Sequence, residues 1–175
     1  QVNRSESLDR TGSRNCGPCI DAGVRTKIRV QESDATEIAV TINGDEKPAD
    51  STKTGVRELL EKADTDVDVE VEHNVQAPIG AGYGMSGAGT LGAVLSLSEA
   101  LGLDVSKDEI LSIAHRAEVS NRSGLGDVGP QMRGGFVLGL EPGCPPYGKL
   151  RKIRVERDIK FVCGTFGSLS TSNFL

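Results

Sequence analysis

The sequence has no tryptophan and only two tyrosines and four phenylalanines in 175 residues. So few aromatic faces exclude the stacking platform that holds single-stranded nucleic acid. An excess of positive charge is also missing. The formal net charge is −5, unlike that of a protein that neutralises a phosphate backbone. No apolar run approaches the roughly 20 residues of a bilayer crossing. The longest, from Leu91 to Leu103, is interrupted by Gly92, Ser96, Ser98, Glu99 and Gly102. The composition therefore predicts a cytoplasmic protein that engages neither nucleic acid nor membrane.

Cysteine is scarce as well, with four residues at positions 16, 19, 144 and 163. Cys16-Gly17-Pro18-Cys19 has redox spacing, but a thioredoxin-like motif opens a helix, and this one leads into the strand-like alternation of Val24 to Val30. Cys144 and Cys163 form no second close pair, and His73 and His115 have no ligand spacing, which leaves no zinc signature. The thiols read as reduced.

Glycine, by contrast, is plentiful, with 22 residues. Five of them fall in Pro78-Ile79-Gly80-Ala81-Gly82-Tyr83-Gly84-Met85-Ser86-Gly87-Ala88-Gly89, immediately before an apolar-periodic segment, Thr90 to Leu101. Such a loop permits close backbone approach, and the helix behind it offers unpaired N–H groups at its positive end, a cradle for phosphate. The alternative from composition is a flexible surface loop or a tightly packed helix start.

The rest of the chain reads as α+β. Gln1 to Gly17 shows no period, and the start without Met suggests processing or truncation. Val24 to Val30 and Glu37 to Ile42 alternate as strands, with a turn at Asn43-Gly44-Asp45, and predict a hairpin or meander with one wet face. Ser51 to Ala63 predicts a helix behind Ser51 or Thr52 as N-cap, and Val67, Val69 and Val71 alternate with Asp68, Glu70 and Glu72 in a strand leading to Pro78. Ser106 and Glu109 form a capping box for a helix that buries Ile110, Ile113, Ala114 and Ala117 and carries Glu118 near its end. A short helical turn is expected at Asp127 to Met132, then strands at Phe136 to Leu140, Leu150 to Val155 and Ile159 to Thr165.

Two familiar phosphate signatures fail. A Walker A loop needs Gly-Lys-Ser/Thr, and no Lys lies between Ala63 and Ser106. Gly82-x-Gly84-x-x-Gly87 matches a dinucleotide fingerprint literally, but Asp104 precedes a capping box instead of closing a second strand.

Pro78-x-x-x-Gly82-x-Gly84-x-Ser86-x-Ala88 resembles the central motif of the GHMP kinases, the superfamily of galactokinase, homoserine kinase and mevalonate kinase. Tyr83, Met85 and Gly87 depart from its commonest form. With Gly12-Ser13-Arg14, Gly17-Pro18, Ala114-His115-Arg116-Ala117-Glu118-Val119, Gly124-Leu125-Gly126-Asp127-Val128, Gln131-x-x-Gly134-Gly135 and Pro142-Gly143-x-Pro145, the chain is similar to the archaeal pantoate kinase branch from Gly12 onward.

The resemblance implies a ribosomal protein S5 domain 2-like N-terminal domain at 1–165, residues 166–175 beginning the crossing to a ferredoxin-like C-terminal domain, and no such second domain within this chain. It implies an ATP- and Mg²⁺-dependent phosphotransferase acting on the alcohol group of pantoate, and a homodimer. Pro78, Gly80, Ala81, Gly82, Tyr83, Gly84, Met85, Ser86, Gly87 and Ala88 would hold ATP, with Ser86 as a Mg²⁺ ligand and Asp127 as the catalytic base. Glu118 offers a second hard oxygen for the metal. Arg14, Arg122 and Arg133 are all candidates for the acceptor carboxylate, while Tyr83 lines the nucleotide site or plugs the core. His115 has no assigned task. The rival readings are another GHMP kinase, of homoserine, shikimate or mevalonate type, and a noncatalytic nucleotide-binding module.

Overall fold

The computed structural model describes residues 1–167. Short strands β1 (Val2–Asn3) and β2 (Gly12–Ser13), with a 3₁₀ turn at Leu8–Arg10 between them, precede β3 (Asn15–Pro18), β4 (Val24–Glu32), β5 (Ile38–Ile42) and β6 (Asp45–Glu46). Helix α1 (Asp50–Ala63), strand β7 (Val67–Val75), and helices α2 (Met85–Ala100), α3 (Lys107–Ser120) and α4 (Val128–Arg133) follow. Strands β8 (Phe136–Glu141) and β9 (Lys149–Ile153) complete the order. The α+β expectation holds.

The main sheet runs β4-β7-β5-β6, with β7 antiparallel to β4 and parallel to β5. The predicted pairing of β4 with β5 in a hairpin or meander is thus corrected, since β7 lies between the two, while the turn expected at Asn43-Gly44-Asp45, after β5, does join it to the next strand, β6. Alternation fixes which face of a strand is wet but carries no information about its neighbour. The wet face itself is present, pairing Lys27 with Glu72 and Arg29 with Glu70, the latter as a 3.2 Å ion pair.

The opposite face carries the core. Ile38, Val40, Val67, Val69 and Val71 of the sheet pack with Val56 and Leu59 of α1, Leu91, Val94 and Leu97 of α2, and Ile110 and Ile113 of α3. Each such side chain contributes about 1.5–3 kcal/mol by leaving water. Helix α2 is buried on several sides, and its glycines answer to close neighbours. A methyl group on Gly92 would lie 2.6 Å from Thr26 Oγ1, and one on Gly89 3.3 Å from His73 Nε2.

Two local expectations need correction. Helix α1 starts at Asp50 behind Ala49, without a side-chain cap. Ser51 and Thr52 lie inside its first turn, their hydroxyls turned to Ser123 Oγ at 2.6 Å and His73 Nε2 at 3.2 Å. No strand forms at 159–165, where Ile159, Phe161 and Val162 are exposed and no neighbouring strand pairs with them. Ser106 does cap α3, its Oγ accepting from Glu109 N at 3.2 Å. The aperiodic start contains β1 to β3, and β3 pairs with β8 through Cys16 opposite Leu138. That pairing keeps Cys16-Gly17-Pro18 extended, and all four cysteines are free. Most of the expected 166–175 crossing lies outside the described residues. Among the described residues no helix is long and apolar enough to cross a membrane.

Candidate phosphate-binding site

Strand β7 ends at Val75 and delivers the chain to the glycine loop, where Gly84, with φ 67°, opens α2. The left-handed backbone there favours glycine. No side chain caps α2, and its first residues, Met85 and Ser86, line a cleft of about 620 Å³. Pro78, Gly80, Gly82, Tyr83, Gly84, Met85 and Ser86 line that cleft, together with Asp127, Arg122, His73, Ser51 and Thr52. Ala81, Gly87 and Ala88 do not line it; Gly87 instead packs against Val128 and Gln131, and Ala88 faces a second cleft.

Glu118, on the last turn of α3, is sealed beneath this helix start with 2% of its surface exposed. Ser86 Oγ donates to its Oε1 at 2.8 Å and Thr90 Oγ1 donates to the same oxygen at 3.1 Å. Its Oε2 is buried without a hydrogen-bond partner. Burial raises the pKa of this carboxyl, while the serine and threonine hydroxyls pull the other way. A buried oxygen left without a partner in a carboxylate is expensive, and a cation satisfies it.

Asp127 caps the start of α4 by position, its backbone carbonyl accepting from Gln131 N at 3.1 Å. Its side chain opens to the cleft, and desolvation by the surrounding protein raises its pKa. Two strands hold the loop before it, through Ser13 N to Leu125 O and Asn15 Nδ2 to Gly126 O, both 2.9 Å. A methyl group on Gly124 would lie 2.9 Å from Glu118 Oε2 and 3.5 Å from Asp127 Oδ2. Both carboxyl groups therefore border one small space above that glycine, which any larger residue would fill.

Ser86, Glu118 and Asp127, distant in sequence, are thus brought together. The three arginines are not. Arg122 lines the cleft with a left-handed backbone at φ 53°. Arg14 is engaged by Glu141 at 2.9 Å, by Gln1 and by Leu140 O, and Arg133 ends α4 without lining either cleft. Tyr83 is half-buried and its hydroxyl lies 2.9 Å from Thr165 Oγ1. His115 is buried with its Nε2 2.8 Å from Thr11 O.

Sequence reasoning passed over His73. It takes the inward phase of β7 after Val67, Val69 and Val71, and a histidine on the apolar phase of a strand was the available signal. Thr26 Oγ1 sits at 2.9 Å from Nδ1 and Thr52 Oγ1 at 3.2 Å from Nε2, and burial pushes its pKa down to about 4. Ser51 and Ser123 left no such signal.

A second cleft, of about 390 Å³, lies on the other side of the loop and shares Gly82, Tyr83, Gly84, Met85 and Asp127 with the first. Asn15, Cys16, Pro18, Cys19, Pro130 and Gln131 are among its other lining residues.

The fold and site define an α+β domain whose exposed helix start, hydroxyl and paired carboxyls suit a phosphate-bearing, metal-associated ligand. Residues 51–135 match the family described as the GHMP kinases N terminal domain. It is 34% identical over 172 residues to pantoate kinase of Methanospirillum hungatei, covering 95% of this chain and 56% of that protein. Against pantoate kinase of Methanocaldococcus jannaschii the identity is 31% over 174 residues, covering 98% and 60%. A solved structure titled phosphotransferase related to CoA biosynthesis pathway superposes with a TM-score of 0.80 at 30% identity, covering 89% of this chain and 53% of that one. The chain thus spans between half and two thirds of the length of these relatives.

Proposed function

We propose that this domain serves an ATP-dependent kinase that phosphorylates the terminal hydroxyl of pantoate, a step of coenzyme A synthesis. The observation that carries the reading is the convergence of Ser86, Glu118 and Asp127 at the uncapped start of α2. The acceptor is suggested by the pantoate kinases and the CoA-related phosphotransferase named above.

The larger cleft takes the nucleotide, with the α2 N–H groups and glycine loop on the triphosphate. The smaller takes the acceptor. Asp127 borders both, where a base must stand to receive the proton of the acceptor hydroxyl as its oxygen bonds to the γ-phosphorus and ADP departs. Desolvation makes that carboxylate more basic than one in water.

The residues present fit Mg²⁺. Glu118 has a buried oxygen without a partner, Ser86 adds a hydroxyl, and Gly124 leaves the space beside them. Among the described residues no three His, Cys, Asp or Glu cluster as a full metal cage; Mg²⁺ commonly takes one or two carboxylates and completes its shell with phosphate and water. When bound, the ion neutralises charge on the phosphates.

The direct test is a coupled ADP-release assay with pantoate, homoserine, shikimate and mevalonate. Turnover with pantoate alone is expected. Turnover with any of the others and none with pantoate would remove the specific acceptor, and nucleotide binding without any turnover would favour a noncatalytic module.

A further inference from the structure

We infer that Gln131 is a positioning residue that braces Asp127 against the phosphate-binding turn, fixing the distance between the proton acceptor and Ser86. The inference rests on the kinase reading above. Asp127 immediately precedes α4, and Gln131 lies one turn further, its backbone N–H bonded to Asp127 O at 3.1 Å. Its side chain crosses to α2, where Nε2 donates to Gly84 O at 2.7 Å. That carbonyl also accepts the first intrahelical bond of α2, from Ala88 N at 3.0 Å. The amide therefore docks on the residue that opens the helix, two positions before Ser86.

The glycines of the loop are shaped around this contact. A methyl group on Gly84 would stand 2.7 Å from Gln131 Nε2, and one on Gly87 3.1 Å from Oε1. Only an N–H can face the Gly84 carbonyl, so the amide orientation is fixed, and Oε1 is left buried without a partner. An apolar side chain of similar length would fill the notch without that penalty. What the amide adds is a directed N–H to Gly84. Among the described residues it is the one side-chain hydrogen bond between α4 and the start of α2.

Phosphoryl transfer depends on such spacing, since a displacement of about 1 Å costs on the order of 100-fold in rate. In Gln131→Met, which fills the notch without a donor, kcat is expected to fall by about 10–100-fold. KM for ATP should stay within about threefold, and Tm within a few degrees. A packing role alone predicts near-normal turnover for Gln131→Met, and that result would overturn the brace. So would a loss of Tm and ATP affinity in step with kcat.

A readout free of the acceptor is hydrogen exchange, in which the Ala88 amide, bonded to Gly84 O, should exchange about tenfold faster in Gln131→Met while the amides of Val94 to Leu97 do not change. Unaltered exchange at Ala88 would also overturn the inference. If exchange responds but the unsubstituted protein does not phosphorylate pantoate, the functional reading falls and the brace stands.

Discussion

At the scale of single residues, the site depends on two carboxyl groups held in different ways. Asp127 is open to both clefts with its pKa raised by desolvation. Asp127→Asn is expected to lower kcat by about 10²–10⁴-fold with nucleotide affinity nearly intact, read by steady-state kinetics beside equilibrium ATP binding. Glu118 is buried with one oxygen unpaired and its pKa also raised by burial. A carboxyl whose folded pKa exceeds its unfolded value binds its proton more tightly in the native state, so its contribution to stability falls as pH rises from the unfolded value, near 4.5, through the folded one. Glu118→Gln should therefore raise the metal-free Tm at neutral pH while weakening the Mg²⁺ dependence of turnover. A lower Tm at pH 7 would contradict the first half, and an unaltered Mg²⁺ titration the second. His73 has the opposite sign of effect: its folded pKa, about 4, lies below the unfolded 6.5. The stability it confers is full above pH 6.5 and is lost as pH falls toward 4, so urea midpoints should drop across that window and drop less in His73→Asn.

At the scale of elements, hydrophobic period made the long helices and strands legible. Val67, Val69 and Val71 declared the inward face of β7, and Ser106 with Glu109 declared the start of α3. The failures share a cause. β4 and β5 do not pair, Ser51 and Thr52 do not cap α1, and 159–165 forms no strand, because each outcome depends on a partner from another part of the chain. The glycines of α2 follow the same logic: they cost helix propensity in sequence terms and make room for Thr26, His73 and Gln131 in the fold. Gly92→Ala tests this, since Ala is the better helix former by up to about 1 kcal/mol. Its methyl group would stand 2.6 Å from Thr26 Oγ1. Overpacking of roughly 1–3 kcal/mol should win, and the urea midpoint should fall. A more stable variant would show that β4 yields easily.

At the scale of the molecule, the site is a meeting of separate elements. The glycine loop and α2 bring N–H groups, α3 brings Glu118, the loop before α4 brings Asp127, and β2 and β3 pin that loop from the start of the chain. A second brace, Arg116 on Asp9 at 2.8 Å and on Glu58, ties the N-terminal turn to α1 and α3. A ligand that binds only the folded site should stabilise the whole, and MgATP at about 100 times its Kd should add about 2.7 kcal/mol. A Tm rise with MgATP that shrinks when EDTA removes the metal is expected; no rise would deny the nucleotide site.

By itself the sequence determined the α+β class, the placement of the long elements, and a glycine loop set before a helix, because period and glycine spacing are local properties of the chain. It also marked Ser86, Glu118 and Asp127 through their resemblance to the GHMP kinases. Only the tertiary structure decided that β7 separates β4 from β5, that Gly124 stands between Glu118 and Asp127, and that Gln131 reaches Gly84. Those facts join residues far apart along the chain, and they depend on how sheet and helices pack together.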